Sequence, residues 1–451
     1  VIGVVVGALG LACYLYRELI IRKLRRFKEL CVHDDEEDGF IRLYNASARV
    51  TEMTNIKEER IQCVLWMKLV QKHRLRRGQP VMTDDLIRHT VSSYFAVPNY
   101  MHIGTMTGYD DGVRCLLVHD NKLFAGGDDS TIRVSRADTY EHMASMAGHT
   151  DAVLQHGFGF GVWCMVAHEK NLYSGGGDDP IRVWRTDSHE HVTTLTGHTG
   201  VQCMLVHENK LYSGSEDNTI RVYDVETHEP LGHLQGHSGG VQCMVVHGAL
   251  LYSGSGDCTV RVWDASTFAP VAILRGHMGK VVTMLIDDNH LYTGGDDREI
   301  RVWDTVTHTH IGTLRGDAED RKCRDMANPK LLVRACTRGH KEDVRCMLVY
   351  KRMLFSGGED SAVVVWDLDS CEPPDLLEGH TRSIMCMLLH EGVLYTGSAD
   401  KTVRLWDPDT LECVATLKGH NGQIGAMVIH DKKLYSGSTG GWSNTIRVHN
   451  I

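Results

Sequence analysis

The chain has 451 residues, 42% of them hydrophobic and 24% charged, with 14 Cys, 8 Trp and a formal net charge of −10. That length and composition suit two or three ordinary domains, or one large repetitive fold with an added segment. Residues 1–100 carry 16 Lys and Arg against 12 Asp and Glu, and residues 101–451 carry 32 against 46, so the larger part is poorly suited to phosphate backbones and no nucleic-acid partner is expected.

The chain opens VIGVVVGALGLACYLY, a run of sixteen residues without a charge. As a helix this run spans about 24 Å at ~1.5 Å per residue, short of a ~30 Å hydrocarbon core. Position 1 is Val, so the run is expected to be clipped from a longer one. Arg17, Arg22, Lys23, Arg25, Arg26 and Lys28 follow it. A secretory signal puts its basic group first and a small-residue cleavage site last. A basic group after the span instead fits a single-pass anchor whose downstream side is cytosolic, matrix or stromal. The expectation is a transmembrane helix and a basic juxtamembrane helix over residues 1–30, with residues 1–28 in contact with a bilayer. A cleaved targeting segment and a buried soluble helix are the other readings. Gly3 and Gly7 make a G-x-x-x-G that permits close helix contact, and Arg22, Lys23, Arg25 and Arg26 suit anionic headgroups. Residues 31–99 read as an acidic linker, HDDEEDG, then helices: Ile56, Ile61, Val64, Leu65, Leu69 and Val70 share one face, and Thr83 is placed to cap the next.

From residue 100 one phrase recurs. LYSGSEDNTIR, starting at Leu211, returns as LYSGSGDCTVR, LYTGGDDREIR, LFSGGEDSAVV and LYTGSADKTVR. Ser135, Trp184, Tyr223, Trp263, Trp303, Trp366, Trp406 and His449 end equivalent segments, most often about 40 residues apart. Gly-His precedes most units, at His149, His198, His237, His277, His340, His380 and His420. Each unit reads as four short strands, for example VQCMLVH, KLYSGS, TIRVYD and PLGHLQG, joined by tight turns. One such sheet cannot bury both faces, whereas eight arranged radially can. Cys115, Cys164, Cys203, Cys243, Cys346 and Cys386 share one slot on the first strand. A cysteine repeated in one slot of an apolar strand reads as a small buried hydrophobe and a free thiol, which favours a reducing compartment.

Gly-His, Ser/Thr-Gly-Ser, Asp and Trp-Asp at this period resemble the WD-repeat family of β-propellers over residues 100–451. The resemblance implies an all-β propeller; the eight repeat units predict eight blades, with seven as the alternative count, preceded by the helical N-terminal region. It also implies a hydrogen-bonded His, Ser/Thr, Asp, Trp tetrad within each blade. The full sets here are His237, Ser253, Asp257, Trp263; His277, Thr293, Asp297, Trp303; His340, Ser356, Asp360, Trp366; and His380, Thr396, Asp400, Trp406. Tyr223 replaces Trp beside His198, Ser213 and Asp217, while His149, Ser174, Asp178 and Trp184 match in type. The first unit has Tyr109, Ala125 and Ser135 at these places, and the last lacks the Asp and ends with His449. YMHIGTMTG at 100–108 copies HTHIGTLRG at 308–316, so residues 101–107 are predicted to supply the outer strand of the last blade.

Three interruptions fall at connections that emerge on one face of such a wheel: DAVLQHGFGFGV, DAEDRKCRDMANPKLLVRACTR and STGGWSN. Phe158, Phe160 and Trp442 lie among glycines in the first and third, without a packing periodicity. They are the candidate anchors for a protein partner. Histidines collect at the other ends of the first strands, but one per blade spaces them too far apart to converge on a metal, so no metal or cofactor is expected. No phosphate loop or activated nucleophile is present, which argues against an enzyme. The expected function is a non-catalytic, membrane-anchored scaffold within a larger membrane protein complex. The alternative is a phosphopeptide-reading subunit of a ubiquitin ligase or another signalling adaptor. Against it, the repeated arginines from Arg133 to Arg447 fall on third strands, where they read as inter-blade structure.

Overall fold

The computed structural model describes residues 100–109, 111–149, 161–177, 180–316, 332–336, 339–369, 374–440 and 444–451. All are in the second of two compact units, 99–451. The anchor residues Gly3, Gly7, Arg22, Lys23, Arg25 and Arg26, the helices expected before residue 100, and Asp178, Phe158, Phe160 and Trp442 lie outside the described residues. Among the described residues, no helix is long and apolar enough to cross a membrane.

The local pattern dictates a meander. In blade 3 the strands are Val201–His207, Lys210–Ser215, Ile220–Asp224 and Pro230–Leu234, hydrogen-bonded in that order. Glu208 and Asn209 both have positive φ (46° and 57°), the two-residue hairpin geometry that matches strand twist. The second strand is buried at every position after its first residue because both its faces are covered by neighbouring blades. The third buries Ile220, Val222 and Tyr223, and the outer strand is largely exposed.

Seven sheets of this kind follow one another, and the eighth is made from both ends of the unit. Its order places His102–Tyr109 beside Asn444–Asn450, then Lys433–Thr439 and Gln423–His430. The outer strand is antiparallel, with Thr105 opposite Arg447 and Met106 opposite Ile446. Residues near the start of the repeats therefore close the last blade, and the wheel has eight blades, all β.

The core lies between blades. Eight hydrophobic clusters fill the eight seams among the described residues. Between blades 3 and 4, Tyr212, Ile220, Val222 and Leu234 meet Val241, Leu251, Trp263 and Ala265. At the closing seam Met106, Tyr435, Ile446 and Val448 meet Val113, Leu123 and Ala125. Each fully buried Val, Leu or Ile is worth roughly 1.5–3 kcal/mol relative to exposure. The approach is close enough that a Cβ on Gly214 would sit 2.7 Å from Val241 Cγ1, so this slot of the phrase admits only glycine.

One interruption does more than project. Leu332–Cys336, from the enlarged crossover before His340, adds a fifth strand to blade 5, parallel to the outer strand His310–Gly316.

Candidate functional site

The repeated polar residues come together inside blades. In blade 4, Trp263 Nε1 donates to Ser253 Oγ at 2.9 Å, Ser253 lies 2.8 Å from His237 Nε2, and His237 Nδ1 lies 2.8 Å from Asp257. With the imidazole proton on Nδ1, each group donates to the next. Asp257 also accepts from the amides of Ser238 and Thr259 and from the Thr259 hydroxyl. The chain of contacts recurs through His277, Thr293, Asp297 and Trp303. His340, Ser356, Asp360 and Trp366 repeat it, as do His380, Thr396, Asp400 and Trp406. Burial raises the Asp257 and Asp217 carboxyls, but the bonds they accept outweigh it and hold both down at about 2. These side chains are engaged and enclosed. They are scaffold.

Variant blades show how the arrangement tolerates loss. In blade 3, Tyr223 bypasses Ser213 and donates to the carbonyl of Thr196 at 3.4 Å. In blade 2, Ser174 lies between Trp184 and His149, at 2.9 and 2.8 Å, and Arg182 Nη1 lies 2.8 Å from His149 Nδ1. In blade 1 the Arg133 guanidinium covers the Tyr109 ring. In blade 8, His420 reaches Ser436 at 2.8 Å, and His449 packs edge-on against His102.

The third-strand arginines reach the connections that join one blade to the next. Arg221 donates to the carbonyl of Gly197 at 2.7 Å and Arg182 contacts His149, both in connections that follow the preceding blade's outer strand. Arg133 of blade 1 lies over Tyr109 of blade 8's outer strand. The Tyr of the phrase and the cysteine slot also cross between blades. Tyr173, Tyr212 and Tyr252 donate to Val225, Ala265 and Thr305 carbonyls in the next blade at 3.0, 3.0 and 3.2 Å. The Cys115 and Cys164 thiols point at carbonyls of Val162 and Val201, also one blade on. All eight cysteines whose side chains are described are free, and burial pushes the Cys115, Cys203 and Cys386 thiols up to about 12.

A surface of mixed polar and apolar groups lies at one mouth of the channel. Inner strands begin and second strands end at this side, so the residue after each strand-starting Val or Ile faces the mouth. Arg114, Trp163, Gln202, Gln242, Arg345 and Met385 occupy that slot. Arg114 pairs with Asp128, Arg345 with Glu359, and Glu216 accepts from Gln202 at 2.7 Å and from Gln242 of the next blade at 3.3 Å. Burial first, then the carboxylates of Asp296 and Glu359, raise the Asp343 carboxyl. Met278, in the Gly-His connection of blade 5, is 90% exposed on this side. The ring mixes apolar, amide and paired charged groups, a composition suited to a protein surface.

The described flanks of two interrupted loops meet at blade 1. A Cβ on Gly161, which ends the first insertion, would lie 2.6 Å from Asp128 Cα, and one on Gly112 would lie 2.8 Å from Thr439 Cβ, at the start of the last blade's turn. Trp163, two residues after Gly161, was not singled out from sequence because it occupies a strand slot. Its position in that slot beside an insertion was the available signal. Among the described residues no group of three or more His, Cys, Asp or Glu is placed to hold a metal ion.

A family model, "WD domain, G-beta repeat", matches residues 101–134, 189–224, 228–264, 268–304, 332–367, 371–407 and 411–450, more than half the chain. The chain belongs to the WD-repeat family. Propellers of this family bind other proteins and are generally non-catalytic. The seven matches leave out residues 135–188, yet the chain there still folds into most of blade 2, which accounts for eight blades. No curated protein matches the chain. Among solved structures it is similar to the computationally designed Ika8 protein, at 24% identity and a TM-score of 0.65, covering 78% of this chain and 99% of that one. It is also similar to the WD40 β-propeller domain of Doa1, at 18% identity and a TM-score of 0.51, covering 78% and 97%. Both likenesses concern the fold.

Proposed function

We propose that this WD-repeat propeller is a docking subunit, held at a membrane by residues 1–30, whose partner is another protein subunit of a membrane complex bound at the channel mouth beside blade 1. The observation that carries the docking reading is that the described flanks Gly161 and Thr439 of two interrupted connections both lie against blade 1; the sequence puts Phe158 and Phe160 in the first connection and Trp442 in the second. Aromatic anchors on a rigid support dominate protein interfaces because they bury a large area at little cost in side-chain entropy. The anchor reading rests on the uncharged opening run and the cations after it, which would leave the propeller on the cytosolic, matrix or stromal side. A phosphopeptide-reading ligase subunit is the weaker alternative, since Arg133, Arg182 and Arg221 are engaged within the wheel.

Two measurements test this. Recovery of partner subunits in mild detergent should fall at least tenfold in F158A/F160A/W442A, and undiminished recovery would refute the docking face. Resistance to alkaline extraction from membranes should vanish on deletion of residues 1–28, and a chain extracted equally well with or without them is not anchored there.

A further inference from the structure

The outer strands carry a second surface, on the rim of the wheel. The residue opposite the third-strand arginine is polar in most blades: Thr105, Ser145, Thr194, His233 and Thr416. Blade 4 departs from this with Ile273, opposite Arg261. Ile273 is 40% exposed and Val271 is 48% exposed. Two residues apart on one strand, they present a single apolar face next to an edge whose backbone groups, among the described residues, have no strand beside them.

The neighbouring blade shows what such an edge accepts. In blade 5 the same two slots hold Ile311 and Thr313, and there the outer strand is paired in parallel with Leu332–Cys336, running from Gly312 opposite Leu332 to Gly316 opposite Cys336. Thr313 is only 6% exposed and Ile311 is half-buried. By register, Gly312–Gly316 corresponds to Ala272–Gly276 in blade 4. That stretch lies beyond Pro270, so the donor that proline lacks is not needed.

We infer that the rim of blade 4 is an acceptor edge: an extended apolar strand of a partner protein adds in parallel to Pro270–Arg275, seated against Val271 and Ile273, as Leu332–Cys336 seats on blade 5. Main-chain hydrogen bonds supply most of the affinity in strand addition and alternate side chains supply the selectivity. Val271 and Ile273 give this edge a preference for apolar residues at alternate positions. The site is separate from the channel mouth, so the two can be tested independently.

The probe is a fluorescent synthetic peptide copying residues 330–337 of this chain, KLLVRACT, titrated into the full chain by fluorescence anisotropy. Saturable binding is expected, weakened at least tenfold by V271E/I273E and severalfold by I273T, which installs the residue found at this slot in other blades and so preserves folding. L231E/H233E, the same change on blade 3, should leave binding unaltered, as should F158A/F160A/W442A. Absence of saturable binding, or binding that both V271E/I273E and I273T leave unchanged, overturns the inference.

Discussion

Blades 4 to 7 and blade 8 solve the same problem differently. In the former, one continuous stretch of chain makes the sheet, and a His bonded to an Asp locks the Gly-His connection over it. In blade 8 the outer strand comes from residues 102–109, His420 has among the described residues only Ser436 and a distant Thr445 hydroxyl as partners, and His449 stands where Trp is usual. The regular blades are held by local bonds that each repeat carries for itself. The last is held by a contact between residues more than 300 positions apart in sequence. Polar reinforcement is thinnest where the wheel closes, so there burial must supply the stability.

That difference is broken most severely by stripping the closing strand. Met106 and Tyr109 are buried in the seam between blades 8 and 1. M106A/Y109A should cost about 5 kcal/mol or more, a large part of a domain's total stability. L274A, which empties a regular seam, should cost ~2–5 kcal/mol. Urea unfolding of both variants decides it, and a double variant no worse than L274A would mean that closure contributes little. The regular side is probed by D257A, which leaves the donors of His237, Ser238 and Thr259 without their acceptor. A loss of ~2–4 kcal/mol is expected, and a loss under ~1 kcal/mol would show the tetrads to be ornamental.

Sequence made one class of feature legible and hid another. Everything that recurs within a repeat could be read: the four strands, the tetrad residues, and the closing strand, because MHIGTMTG copies an outer strand found elsewhere. Contacts between repeats were opaque. Tyr212 bonds Ala265, 53 positions away, and nothing in the period of the pattern distinguishes a side chain aimed at its own blade from one aimed at the next. Leu332–Cys336 was missed because its place is set by an open edge, and an edge exists only once the wheel is assembled. Of the candidate docking surface, the interruptions were visible, while the ring of Arg114, Trp163 and Arg345 at the mouth required the channel itself.

Acid should separate the two kinds of blade. Burial, helped by Arg447, His449 and His102, pushes His420 down to about 3, and burial, helped by His102 and Arg447, pushes His449 down to about 4. His102 is itself lowered, mainly by burial. In the unfolded chain these imidazoles titrate near 6.5. The fold therefore favours their neutral forms, and the stability this confers is complete above about pH 6.5 and drains away as pH falls toward 4. Asp217 and Asp257, held at about 2, keep their contribution until pH drops below the ordinary carboxylate range near 3.8. Burial also lowers His237 and His380, but their Asp partners oppose it; no carboxylate opposes it at His420. Between pH 7 and 5, His420 and His449 should each withdraw roughly 2 kcal/mol. H449W removes one of them and restores the usual indole donor toward Ser436, so the variant should lose roughly 2 kcal/mol less stability over that interval than the wild type. Urea titrations at the two pH values measure this directly, and equal losses would place the acid sensitivity elsewhere in the wheel.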